Sequence, residues 1–141
     1  MDLFRGSLLY VGGRCVPFRP KLLALAHGRC LRNFVAVVAD TVLPGAEDRV
    51  AMVDNTNTTL VEIAPYVALA NAYNHDVEIH VWVPREQWAP TSMKLWEVVL
   101  AERNTHGVGR EAITRMLANI EHTLGWWPRF WPKPVKHYLE E

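Results

Sequence analysis

The chain reads as a three-layer α/β domain built on a parallel sheet, and three features of its 141 residues predict this. Two short and almost wholly apolar runs, RVAMVD (49–54) and VEIHVWV (77–83), have the length and composition of strands buried on both faces. Each follows a segment of helical periodicity. The order helix, strand, helix, strand is that of a right-handed crossover, which lays consecutive strands parallel in one sheet. Half of the residues are hydrophobic, so the chain has the means to bury one core without disulfide or metal staples.

The elements follow in order. LLYV (8–11), a Gly12-Gly13 turn and RCVPF (14–18) have the pattern of a short hairpin. From Pro20, a residue suited to a first helical turn, Leu23, His27 or Ala26, Cys30, Phe34 and Val37 recur at three and four residues, which predicts a helix over 21–39. TVLPGAED is a loop, and the first buried strand is expected at 50–53. Thr59 and Glu62 stand at capping-box spacing and open a helix over 60–74, in which Pro65 is tolerated only near the first turn. The second buried strand covers 77–83. A loop with Pro84, Trp88 and Pro90 leads to a helix over 92–103. THGVG interrupts the chain, and REAITRMLANIEH is expected to form an amphipathic helix with Ile113, Met116 or Leu117, and Ile120 on one face. This organisation gives a domain over 1–124 and an aromatic, proline-rich tail over 125–141 that packs on the domain or extends from it.

Charge and cysteine content narrow the function classes. Lysine plus arginine and aspartate plus glutamate each number 15, so no overall field draws the molecule to nucleic acid or to an anionic membrane. Any basic site must be local. Cys15 and Cys30 occur without a secretory leader and are expected to be reduced thiols in a cytoplasmic protein. No apolar run reaches the length of a membrane-spanning helix. The six histidines are scattered without metal-ligand spacing, and no metal site is expected.

Two segments carry candidate chemistry. Asp54 stands at the carboxyl end of a predicted strand, where ligand sites of parallel sheets form, and Asn55, Thr56 and Asn57 follow it. Three readings fit such an aspartate: a base or magnesium carboxylate, a cap for the turn, or a solvated strand end. The neighbouring amides and hydroxyls can fix a ligand's hydroxyl. In the second segment, ERNTHGVGREAITRM, Arg103, Arg110 and Arg115 flank a glycine-broken helix junction. That arrangement suits a mobile basic lid over phosphates, and equally arginines on solvated helix faces.

Taken together, VDNTNTTLVEIAPYVALANAYNHDVEIHVW and the later LAERNTHGVGREAITRM resemble the phosphate-loop polynucleotide kinase-like family, over about residues 18–124. The resemblance implies a three-layer P-loop kinase-like sheet and ATP- and magnesium-dependent transfer of phosphate to a 5′-hydroxyl. It places Asp54, Asn55, Thr56 and Asn57 where the acceptor meets the nucleotide. Arg103, Asn104, His106, Gly107 and Arg110 would form the lid, with Arg103 on the nucleotide phosphates. The family also has an upstream Asp-x-x-Arg element, which Asp2 and Arg5 match in spacing, giving Asp2 the role of base and Arg5 that of a phosphate-binding residue.

The pattern departs from the family at its nucleotide site. No Gly-x-x-x-x-Gly-Lys-Ser/Thr loop occurs in these 141 residues, and Gly6, Gly12 and Gly13 lack the following lysine and hydroxyl. The expected sheet therefore lacks the family's first strand, loop and helix. A truncated or degenerate kinase-like protein, inactive alone and without tightly bound ATP or magnesium, is the expectation. Its partners would be a nucleic-acid end or a small-molecule acceptor, and a second copy or another chain would cover the exposed sheet edge. The alternative is a noncatalytic binding module. Trp126, Trp127, Phe130 and Trp131, interleaved with Arg129, Lys133 and Lys136, either stack bases or cover the sheet edge.

Overall fold

The computed structural model describes residues 4–5, 8–11, 14–17, 20–40, 50–84, 90–103 and 108–139, with side chains placed over 21–40, 50–83, 94–103 and 108–139. The chain divides into two compact units. The first comprises Met1–Asn57 and Ile63–Asp76; the second comprises Thr58–Glu62 and Val77–Glu141.

In the first unit, β1 (Phe4–Arg5), β2 (Leu8–Val11) and β3 (Arg14–Pro17) form an antiparallel sheet in that order. The β2–β3 hairpin expected around Gly12 and Gly13 is present, with Tyr10 opposite Cys15 and Val11 opposite Arg14. A 3-10 turn over Pro20–Leu22 leads into α1 (Leu23–Asp40), where Ala26 and Val38 are buried. α2 (Leu60–Ala72), which belongs to this unit from Ile63 onward, buries Val67 and Ala70.

Both ends of α2 are closed by local chemistry. The Glu62 carboxylate accepts hydrogen bonds from the backbone N–H groups of Thr58 and Thr59, at 2.9 and 3.0 Å, and from the Thr59 hydroxyl at 3.0 Å. The Glu62 N–H donates back to the Thr59 hydroxyl at 3.3 Å, completing the capping box. At the other end Asn74 takes a left-handed conformation, φ 58°. The His75 N–H reaches the Ala70 carbonyl and the Asn74 N–H the Asn71 carbonyl, which is a Schellman closure. Pro65 stands in the second turn, beyond the position where it costs least, and removes the donor that would meet the Val61 carbonyl. Val61 is exposed, so water can reach that turn.

The second unit holds β4 (His80–Pro84), α3 (Pro90–Arg103), α4 (Arg110–Gly125) and β5 (Val135–Leu139). Its core is formed by Trp96 of α3 with Ile113 and Leu117 of α4, joined by Val99, Leu100, Val108 and Leu139. β4 and β5 pair in parallel, with Trp82 opposite His137 and Val83 opposite Tyr138. The Val135 N–H extends the ladder to the Ile79 carbonyl at 2.8 Å. Between α4 and β5 the chain turns through a Trp131 N–H to Pro128 carbonyl bond. The Trp127 indole closes this turn on the Pro132 carbonyl at 3.0 Å, with Trp127 and Trp131 edge to face.

These observations correct the expected three-layer P-loop kinase-like parallel sheet. Among the described residues four helices dominate, and parallel pairing is confined to β4 and β5. The run at 50–53 forms no strand. Val50 and Met52 are 87% and 85% exposed, and a strand without a ladder partner leaves its backbone groups to solvent. The partner of β4 comes instead from the tail. Two prolines, Pro132 and Pro134, end the irregular stretch, and VKHYL pairs immediately after them. No described helix is long and apolar enough to cross a membrane.

Candidate functional site

The segment Asp54 to Asn57 has no regular secondary structure and bends at Asn55; it is held at Asn55 and, just beyond its end, at Thr58. Asp54 is exposed. The Asn55 side-chain amide donates to the Tyr66 hydroxyl at 3.3 Å, linking the stretch to the second turn of α2. Tyr66 is fixed in turn by Phe34 of α1, whose ring meets it edge on at 5.1 Å between centres. Burial, with the Cys30 thiol beside it, pushes the Tyr66 phenol far above the usual tyrosine range, and the Asn55 amide offsets this in part. Tyr66 therefore stays a neutral phenol through the physiological range. Cys30 is a free, half-buried thiol.

On the carboxyl side of the stretch, within the second unit, Thr58 is gripped from three directions. Its N–H meets Glu62, its carbonyl accepts the Thr123 hydroxyl at 2.8 Å, and its hydroxyl accepts the Asn119 amide at 3.5 Å. Thr123 is the buried polar side chain of α4, and this bond satisfies it. The sequence marks Thr59 and Glu62 by their spacing. Tyr66, Asn119 and Thr123 escaped it, because their partners lie 11, 61 and 65 residues away.

Arg103 ends α3 and is exposed, and Arg110 opens α4. Arg110 lies 3.9 Å from the Glu97 carboxylate. A cation at a helix amino terminus opposes the helix dipole, and the Glu97 contact offsets part of that cost. Asn104, His106 and Gly107 lie outside the described residues, as does Asp2. Arg5 falls in β1, with its side chain outside the described ones. Asp54, Asn55 and Asn57 belong to the first unit and Arg103 and Arg110 to the second.

The resemblance to a kinase implies ATP and magnesium, and a triphosphate would need donors or cations on its phosphates. Free N–H groups at a helix amino terminus are one common phosphate site. At α2 those of Thr58 and Thr59 are occupied by the Glu62 carboxylate. At α4 the helix begins after Gly109 without a side-chain cap, and Glu111 puts negative charge in the first turn. Among the described residues no three carboxylate, histidine or cysteine side chains converge on a point where a metal ion fits.

A different cluster, absent from the sequence reading, lies on the β4–β5 ladder. The His80 Nδ1 and His137 Nε2 are 2.8 Å apart, and the Glu78 carboxylate is 3.3 Å from His80 Nε2. Trp82 stacks on His137 at 4.7 Å with its plane inclined by 19°. Alternation along VEIHVWV places Glu78, His80 and Trp82 on one face, but His137 joins them only through a register that the sequence of the tail does not announce.

No known protein family matches this chain, and no solved structure does. Among curated proteins, NEDD4-binding protein 2 from Homo sapiens is 39% identical over 70 residues, which is 50% of this chain and 4% of that protein. The chain thus spans a small fraction of the length of that protein.

Proposed function

We propose that this chain is an incomplete polynucleotide 5′-hydroxyl kinase-like unit, which engages an acceptor end through the Asp54 to Asn57 stretch and transfers no phosphate by itself. The observation that carries this reading is the fixing of that stretch at Asn55 and just beyond its end. Asn55 is tied to Tyr66 and Thr58 to Glu62, while Asp54 stays exposed to solvent. A polar loop held in this way loses little entropy when it binds a hydroxyl, and Asp54 and Asn57 supply acceptors and a donor amide for one. The paired resemblance of the VDNTNTT and LAERNTHGVGREAITRM segments supports the substrate class. The self-capped amino terminus of α2 supports the absence of transfer, since Glu62 takes the donors a phosphate would need.

Fluorescence anisotropy with a short single-stranded oligonucleotide tests the reading. A 5′-hydroxyl end should bind more tightly than the same strand carrying a 5′-phosphate, and Asn57→Ala together with Asp54→Ala should remove the preference. Equal binding of the two ends would overturn it.

A second reading, a noncatalytic module that binds nucleic acid or protein through the second unit, is favoured by a separate observation. Trp126 is 71% and Phe130 94% exposed beside the exposed Arg129 and Lys133. Exposed aromatics among cations stack on bases without sequence preference. Phe130→Ala with Trp126→Ala should then abolish binding to both oligonucleotides alike. Retained binding would return the function to the Asp54 stretch.

A further inference from the structure

We propose that the exposed face of the β4–β5 ladder is a two-histidine site for a divalent transition-metal ion of the kind imidazole prefers, with His80 Nδ1 and His137 Nε2 as the protein ligands. The two nitrogens face each other at 2.8 Å. The ring planes differ by only 15°, and the ring centres are 5.1 Å apart. That separation is what a 2.8 Å contact gives when two imidazoles meet edge to edge in a common plane. The lone-pair axes of both nitrogens therefore lie along one line, directed at the space between them.

The surroundings hold both rings in that pose. His80 presents its other nitrogen, Nε2, to the Glu78 carboxylate. A carboxylate accepting the distal N–H of an imidazole is the usual support of a metal-binding histidine, because it fixes the tautomer and makes the opposite nitrogen a better ligand. With Nε2 protonated toward Glu78, a neutral His80 must carry its lone pair on Nδ1. His137 then donates its Nε2 proton across the 2.8 Å gap. Trp82 fixes the plane of His137 by stacking at 4.7 Å. The backbone ladder fixes the spacing, because Trp82 stands directly opposite His137 and His80 opposite Val135.

Metal binding replaces the shared proton. The His137 proton passes through solvent from Nε2 to Nδ1, with no net change of charge on the ring, and both facing lone pairs become ligands. Bonds of the usual metal–imidazole length at a tetrahedral angle set the nitrogens about 3.3 Å apart. Reaching that geometry takes an opening of about half an ångström and a rotation of both rings that turns their lone pairs from each other toward a common point, and His80 is on the surface, with 40% of its side chain exposed. Glu78 lies behind His80, and no third ligand converges among the described residues, so water completes the coordination. Two imidazoles without a thiolate favour Cu(II) over Zn(II), following the general order of divalent affinities.

Calorimetric titration of the full chain with copper(II) or zinc(II) chloride in a non-chelating buffer tests the site. One equivalent of copper should bind, more tightly than zinc. His80→Ala should weaken it at least tenfold, His122→Ala should leave it unchanged, and Glu78→Gln should weaken it about tenfold through loss of the orienting carboxylate. Equal affinity in His80→Ala and the unaltered chain would overturn the proposal. Proton NMR of the unaltered chain gives a reading that does not depend on a variant folding. Substoichiometric copper should broaden the ring signals of His80 and His137 before those of the other histidines, and broadening that begins elsewhere would overturn the site equally.

Discussion

Two apolar runs of similar length have opposite fates in this molecule. RVAMVD leaves Val50 and Met52 almost fully exposed, whereas the run through His80 to Pro84 forms a strand with Val83 only 4% exposed. Composition does not separate them, since both are rich in valine and both end at a polar or breaking residue. What separates them is a partner. VKHYL supplies β4 with a parallel ladder and with Leu139, which packs against the Trp96 cluster. Among the described residues nothing does the same for 50–53. An apolar strand pattern thus records a capacity for pairing, and only a second segment in register converts it into buried area.

The matched valines give the largest expected effect. Val83→Ala should destabilise the second unit by about 2 kcal/mol, from lost transfer energy and the cavity left behind. Val50→Ala should change stability by less than about 0.5 kcal/mol, as exposed substitutions do. Urea unfolding of both variants makes the comparison. A comparable loss at Val50 would mean that this run is paired after all.

The stretch beyond Val50 depends on local closures, and these sharpen the contrast. Asn74→Ala keeps the Cβ at φ 58° but removes the short polar side chain that makes the left-handed region tolerable for asparagine, and should cost up to about 1 kcal/mol, whereas Asn74→Gly should cost nothing measurable. Thermal unfolding distinguishes the two. Glu62→Ala should cost about 1 kcal/mol by opening the capping box. The same change should raise amide exchange at Thr58 and Thr59, whose N–H groups it leaves without a partner.

A smaller effect appears only in alkali. The Tyr66 phenol is raised in the folded chain by burial and by Cys30, so the folded state keeps a proton that the unfolded state gives up near the ordinary tyrosine value of about 10. The stabilisation is complete below that pH and is lost as pH rises beyond it toward the folded value. Tyr66→Phe should flatten this alkaline decline in a stability profile. An unchanged slope would assign the decline to another group.

Much of the helical skeleton was legible in the sequence. α1 was expected over 21–39 and is found at Leu23–Asp40. The helix expected over 60–74 is found at Leu60–Ala72 and closes through Asn74, because Thr59, Glu62 and Asn74 announce their ends within a few residues. The β2–β3 hairpin was legible, but the parallel sheet was not. Its pairing depends on a contact between His80 and Val135, far apart in the chain, and the prolines of the tail concealed a strand that begins directly after them. The candidate site divides in the same way. Asp54, Asn55 and Asn57 stand out as a polar run, but Tyr66, which holds Asn55, reads as an ordinary apolar position of α2. The His80 and His137 pair is invisible until the strands are in register.

Under the proposed function, these residues present an acceptor stretch without a phosphate cradle. A magnesium-dependent transfer assay from labelled ATP to a 5′-hydroxyl oligonucleotide, run beside calorimetric titration with ATP, tests it most directly. The expected result for this chain is no transfer and no saturable ATP binding in the micromolar range, because the N–H groups at the start of α2 are held by Glu62. Micromolar ATP binding with transfer that Asp54→Ala abolishes would contradict the claim.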